Sequence, residues 1–269
     1  MTALEPLVTG LTFPEGPRWR DGRLWFSDFY SHAVYTADLS GKMEKQLDVP
    51  GQPSGLGWLP NGDLLVVSMR NQKVMRWDGL ALTVHADLAP FARDNCNDMI
   101  VLSDGSAFVG NFGFDPHREE PRTTNLILVE PDGSASIAAI EMAFPNGMVT
   151  LAEETILVAA ESVAQCLTAF DIAADRSLSN RRVLARTPGQ QPDGICLDTE
   201  GNILVATMVG KQLIKFSPDG EYLGAQDFDV PVWACAVSDS GDILLCTSQH
   251  SVGADCQRER SGAIQRVAS

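Results

Sequence analysis

Positive charge is scarce in this chain: 20 Lys and Arg stand against 35 Asp and Glu over 269 residues, a formal net charge of −15. A phosphate backbone requires a basic face, so nucleic acid is not an expected partner. The acidity is spread along the chain and forms no block, as on a solvated, self-repelling surface. Long apolar runs are missing as well. No stretch approaches the roughly 18 apolar residues of a membrane span, and the opening MTALEPLVTG has neither the basic nor the apolar region of a signal peptide. A cytoplasmic protein with no membrane partner is expected. The six cysteines, Cys96, Cys166, Cys196, Cys235, Cys246 and Cys256, include no CxxC pair. Most sit in apolar strand-like runs, which reads as free thiols in a reducing compartment and not as disulfides or a zinc cage. No segment carries a sustained helical period between caps. No GxSxG elbow occurs, and none of the four histidines has a nucleophile motif beside it.

What the chain does contain is repetition. Turn signals recur in RDGRLWF (20–26), PNGDLLV (60–66), SDGSAFV (103–109), TEGNILV (199–205) and DSGDILL (239–245), with a degenerate copy, AEETILV, at 152–158. Each joins two short apolar or alternating runs, the signature of a β-hairpin, and each hairpin is followed by a further alternating strand. Six similar antiparallel units with no room for helices between them specify one all-β domain over 1–269: a six-bladed β-propeller of four-stranded antiparallel blades. The last copy has a third strand but no fourth. The segment around Leu4–Leu11 precedes the first copy and has no hairpin partner. This N-terminal strand is therefore expected to complete the last blade and close the ring.

Aligning the copies on their turns gives one equivalent position per blade: Glu15, Ser54, Asn97, Asn146, Asp193 and Trp233, spaced 39 to 49 residues apart. The first strand of a propeller blade lines the central channel, so these side chains converge on the axis. Two carboxylates and two amide carbonyls, from Glu15, Asp193, Asn97 and Asn146, are thus expected at one channel mouth. The local frames FPEG, QPSG, FPNG and QPDG put a stiffening proline before the position and a glycine after it; CND has aspartate instead. Ser54 offers only a weak hydroxyl, and Trp233 would form a wall. Two carboxylates at close range repel unless a cation joins them. With no His or Cys among the six, this all-oxygen set suits a hard divalent ion such as Ca²⁺, Mg²⁺ or Mn²⁺, with open positions for water or substrate. A wet polar channel without an ion would include Lys, Arg, Thr or Gln as readily.

FPEGPRW, FPNGM and QPDGICLDTEGNILVA resemble the gluconolactonase, or senescence marker protein 30, family of six-bladed propellers, and the likeness runs from Gly10 onward. The resemblance implies a lactonase binding one divalent cation through Glu15, Asn146 and Asp193. Ca²⁺ is the first expectation; Zn²⁺, Mn²⁺, Mg²⁺ or Fe²⁺ are the other candidates. Asn97 matches a further asparagine that helps hold metal or substrate. Asn95 stands where the animal members carry a substrate-contacting arginine. The implied partner is a small-molecule lactone, and the expected state a monomer or weak homodimer. The same fold and acidic set also resemble phosphotriesterases such as diisopropyl fluorophosphatase, and a non-catalytic calcium-binding propeller is the third alternative.

The chemistry follows from the residues too. A cation polarises a lactone carbonyl and acidifies water, while a carboxylate within reach accepts the proton. Asp193 is short enough to ligate through one oxygen and keep the other for water, which makes it the expected general base, with Glu15 as a ligand. Two copies, the third and the sixth, carry about ten extra residues between their second and third strands: GFDPHREEPRT and SQHSVGADCQRERSG. Long loops over a site are usually functional, so His117, Arg118, Arg122 and His250 are candidate substrate contacts. Tyr30, Ser31 and His32 in the first copy could line the pocket as well. Cys96, next to Asn97, is expected to be a packed residue.

Overall fold

The inner strands of the six sheets are Pro14–Arg20, Pro53–Trp58, Cys96–Val101, Pro145–Leu151, Pro192–Leu197 and Val232–Val237. In the first five sheets the strands follow one another in chain order from inner to outer edge. These sheets are the blades of the expected propeller, seen in a computed structural model that describes residues 1–268; Ser269 lies outside the described residues. Blade six is built from Val232–Val237, Ile243–Thr247 and Gly262–Val267, and its outer strand is Leu4–Leu11. The pairing is antiparallel, with Leu4 opposite Val267, Val8 opposite Ile264 and Leu11 opposite Gly262. The closing strand also packs. Val8 and Leu11 are buried with Leu24 and Phe26 of blade one and Ala236 and Leu244 of blade six.

The turn chemistry produces the hairpins. In blade one Asp21 and Gly22 both have positive φ, 51° and 73°, as a two-residue type I′ loop requires. The degenerate copy makes its turn with no glycine. Ala152, Glu153 and Glu154 all adopt left-handed backbone, with φ between 49° and 63°.

Side chains around the axis are limited by how closely the inner strands approach. A Cβ on Gly55 would lie 2.3 Å from the Met99 amide nitrogen, and one on Gly147 would lie 2.4 Å from that of Ile195. Glycine after the site residue is therefore a packing requirement as well as a conformational one. All six inner strands carry a register shift just after the site residue, as between Glu15 and Arg18 or Pro192 and Ile195. Such bulges bend a strand and re-aim a side chain.

Two loops stand over one face, residues 112–123 of blade three and 248–261 of blade six. The second contains the helix Gly253–Glu259, which no sequence period announces because it is only seven residues long. No helix of the described residues is long and apolar enough to cross a membrane. All six cysteines are free, and the Sγ atoms of Cys196 and Cys235 are 3.3 Å apart.

Candidate metal centre and substrate cavity

Glu15, Ser54, Asn97, Asn146, Asp193 and Trp233 each occupy the second position of an inner strand. The register read from the repeats is thus the register of the strands. Glu15, Asn97, Asn146 and Asp193 are all buried, and all four line one cavity of about 720 Å³ under the two loops.

The loops that deliver these residues are tied down in a common way. The second strand of each blade ends in a polar residue opposite the one that precedes the site residue: Asp28, Ser68, Asn111, Glu161, Thr207 and Thr247. Asp28 accepts from the Thr12 and Phe13 amides at 3.0 and 2.6 Å, which fixes the entry to Glu15. Glu161 accepts the Ala143 amide at 2.6 Å, and Asn111 that of Arg93 at 3.2 Å, fixing the entries to Asn146 and Asn97. The sequence signal was available in the strand endings WFSD, VGN and VAAE, each polar after an apolar run.

Electrostatically the floor is under tension. Burial pushes the Glu15 carboxyl up to about 8, helped by the charge of Asp98 and opposed by the Gly16 amide, which donates to its Oε2 at 2.9 Å. Burial also raises Asp193 well above the carboxylate range, reinforced by Glu15 and Asp98, with the Asn146 amide pulling the other way. Asn146 is oriented by its Nδ2, which donates to Ser162 Oγ at 3.3 Å. Two buried carboxylates that both hold protons more tightly than usual, Asp193 partly because of Glu15, form a site a divalent cation would relieve.

The third carboxylate of the channel already has a cationic partner. Asp98 takes the place that glycine holds in four of the other frames, and its Oδ1 accepts Arg18 Nη2 at 2.8 Å. Arg18 also donates to the Met99 carbonyl at 2.7 Å, so the pair sits across the axis beneath the site. Sequence reading missed this pair, although CND was the one frame carrying a charge in glycine's place. Among the described residues no three His, Cys, Asp or Glu side chains are grouped to hold a metal. The candidate donor set draws half its oxygens from amides.

The other expected site residues divide. Asn95, His117 and Tyr30 line the cavity with Trp233. Arg118, Arg122 and His250 lie outside its lining: Arg118 Nε is 3.6 Å from Asp115 and His250 Nε2 is 2.6 Å from Glu259, partners within their own loops. Ser31 and His32 also lie outside; Ser31 donates to the Asp28 carbonyl, and His32 ends a 3₁₀ turn. Burial pushes the Cys96 thiol up to about 12, so it packs and does not attack. Gln52, Gln191, Arg70 and the five lining phenylalanines, Phe13, Phe29, Phe112, Phe114 and Phe144, were not singled out from the sequence, although Phe13, Gln52, Phe144 and Gln191 share one register, two residues before a site residue in FPEG, QPSG, FPNG and QPDG.

The profile of the SMP-30/gluconolactonase/LRE-like region matches residues 13–250. The chain belongs to this family. Regucalcin of Gallus gallus is 24% identical over 213 residues, 76% of this chain and 71% of that protein. A gluconolactonase structure from Xanthomonas campestris superposes with a TM-score of 0.79 at 22% identity, covering 99% of this chain and 89% of that one. Regucalcin of Agrobacterium tumefaciens, described as a calcium-binding protein, gives a TM-score of 0.80 at 17% identity, covering 98% and 93%. At these identities the superpositions speak for the fold.

Proposed function

We propose that this family member is a divalent-metal-dependent lactonase, in which Glu15, Asn146 and Asp193 hold one cation, Ca²⁺ first among the candidates. The observation that carries the reading is the meeting of two buried carboxylates and two amides on the floor of a substrate-sized cavity. When bound, the cation supplies Lewis-acid polarisation of the ester carbonyl and acidification of water. Asn97, at the same level, orients the lactone. Asp193 accepts the proton of the attacking water as its oxygen bonds to the carbonyl carbon. The ring C–O bond then breaks, the proton passes to the departing alkoxide, and the hydroxy acid forms. The Asn146 amide, which hydrogen-bonds Asp193, keeps that carboxylate in place. All these groups come from one chain, so a monomer or weak homodimer suffices.

The test is acid release from a panel of lactones by protein stripped of metal and reloaded with Ca²⁺, Mn²⁺ or Zn²⁺. Turnover that requires cation and is lost in Asp193→Asn supports the reading. The names of the regucalcin relatives favour one rival, a calcium-binding propeller without catalysis. Calcium uptake by calorimetry with no lactone opened would establish that rival instead.

A further inference from the structure

The walls of the cavity differ from its floor. Aromatic residues make up 7% of the chain, yet seven line this one cavity, so the concentration is local. They form two groups. Phe13 packs on Trp233 at 4.7 Å and on Phe29 at 5.2 Å, beside Tyr30, at the junction of blades six and one. Phe112 stacks on Phe144 at 4.5 Å, with Phe114 at 5.9 Å from the same ring, at the junction of blades three and four. In a six-membered ring these two junctions are opposite each other. The cavity is therefore a slot, oxygen-lined below and aromatic on two facing sides. Apolar character continues to the mouth, where Val163 and Val252 are 38% and 47% exposed. Polar lining groups stand between and above these walls: Gln52 and Arg70 from blade two, Gln191 from blade five, and Asn95, Asp115 and His117 from blade three.

We infer that the substrate is a lactone bearing an extended apolar substituent, an alkyl chain or fused aromatic ring, which lies between the two aromatic walls. This rests on the lactonase reading for the reacting end of the molecule. The hydroxyls of a polyhydroxylated ring that face the aromatic rings themselves would meet no hydrogen-bond partner there, and each unpaired group weakens binding. An alkyl chain in the same slot gains about three- to fourfold per buried methylene.

The experiment compares kcat/KM for γ-lactones with side chains of zero to seven carbons and for glucono-δ-lactone, each with Ca²⁺, Mn²⁺ and Zn²⁺. The expected result is a rise of about three- to fourfold per methylene until the slot is filled, with glucono-δ-lactone at least tenfold below the best alkyl lactone. Phe112→Ala and Val163→Ser should each flatten that chain-length slope. Two variants on different elements guard against one failing to fold. Glucono-δ-lactone opened as fast as the longest alkyl lactone, or no slope at all, would overturn the inference while leaving lactonase activity intact. If no lactone is opened with any cation, the lactonase reading falls, and the slot is judged by binding alone. Alkyl γ-lactams titrated against tryptophan fluorescence, with Trp233→Phe as control, should then bind more tightly as the chain lengthens; absence of such binding overturns the slot as well.

Discussion

The two floor carboxylates have distinct jobs, and conservative substitutions separate them. Asp193→Asn keeps the shape and one ligand oxygen but removes the proton acceptor; turnover should fall about 10²–10⁴-fold and stay low at any cation concentration. Glu15→Gln should chiefly weaken cation binding, with activity recovering as Ca²⁺ or Mn²⁺ is raised. Full recovery of Asp193→Asn in that titration would reduce the aspartate to a ligand. Proton linkage gives a second expectation. Without cation, Glu15 and Asp193 bind protons more tightly folded than unfolded. The folded state then carries more protons, so stability falls as pH rises above about 4 and keeps falling through about 8, where Glu15 ionises. In EDTA the melting temperature should drop between pH 5.5 and pH 9, and saturating cation should remove the drop. A flat profile in EDTA would mean that the carboxylates are not coupled as described. The four oxygens were legible in the sequence because they share a register. The pair of Arg18 and Asp98 was not: Asp98 left a trace as the charge in glycine's place, but nothing local marks Arg18, 80 residues away, as its partner. Arg118 and His250 looked functional by loop and charge, but each has a carboxylate of its own loop within reach.

At the scale of elements, the hairpins and the bulged inner strands carry the most specific demands. Three consecutive left-handed residues without glycine, Ala152 to Glu154, strain the blade-four turn, since a Cβ in that conformation costs roughly 1–2 kcal/mol. Glu153→Gly relieves one of these at an unfolded-state cost of about 0.4–1 kcal/mol. A net rise of about 1–3 °C in melting temperature is expected, using roughly 2–4 °C per kcal/mol for a chain of this size. Calorimetry showing a lower melting point would mean the turn is unstrained. The two loops invite a different test. Tyr30 donates to the Ser251 carbonyl at 2.9 Å and packs against Gly253, pinning the short helix to blade one. Tyr30→Phe frees that helix while keeping the ring, so KM should rise severalfold with cation affinity unchanged, because no floor oxygen lies on either loop. Weaker cation binding in this variant would contradict that division. The loops' presence was legible from spacing alone. The helix within one of them was not, being too short for a period to emerge.

For the molecule as a whole, ring closure depends on one strand. Deleting residues 2–10 would leave Gly262–Val267 unpaired on one side and uncover the space filled by Val8. The loss should reach several kcal/mol, given about 0.5–1.5 kcal/mol for each lost hydrogen bond and roughly 1.5–3 for the buried valine. A truncated chain melting at the wild-type temperature would show that the sixth blade is self-sufficient. Closure also imposes an order in time. Leu4–Leu11 is synthesised before every other strand described, whereas its partner follows about 250 residues later. At about 5–20 residues per second, the first strand spends on the order of 10–50 seconds without its mate while five other blades assemble beside it. A flat apolar strand left waiting would pair with a passing neighbour. This one has Glu5 and Pro6 exposed near its start and Gly10 near its end, residues that interrupt a ladder and discourage promiscuous pairing. The seam of the propeller is thus built for patience: reluctant alone, and held once Ile264 and Gly262 arrive.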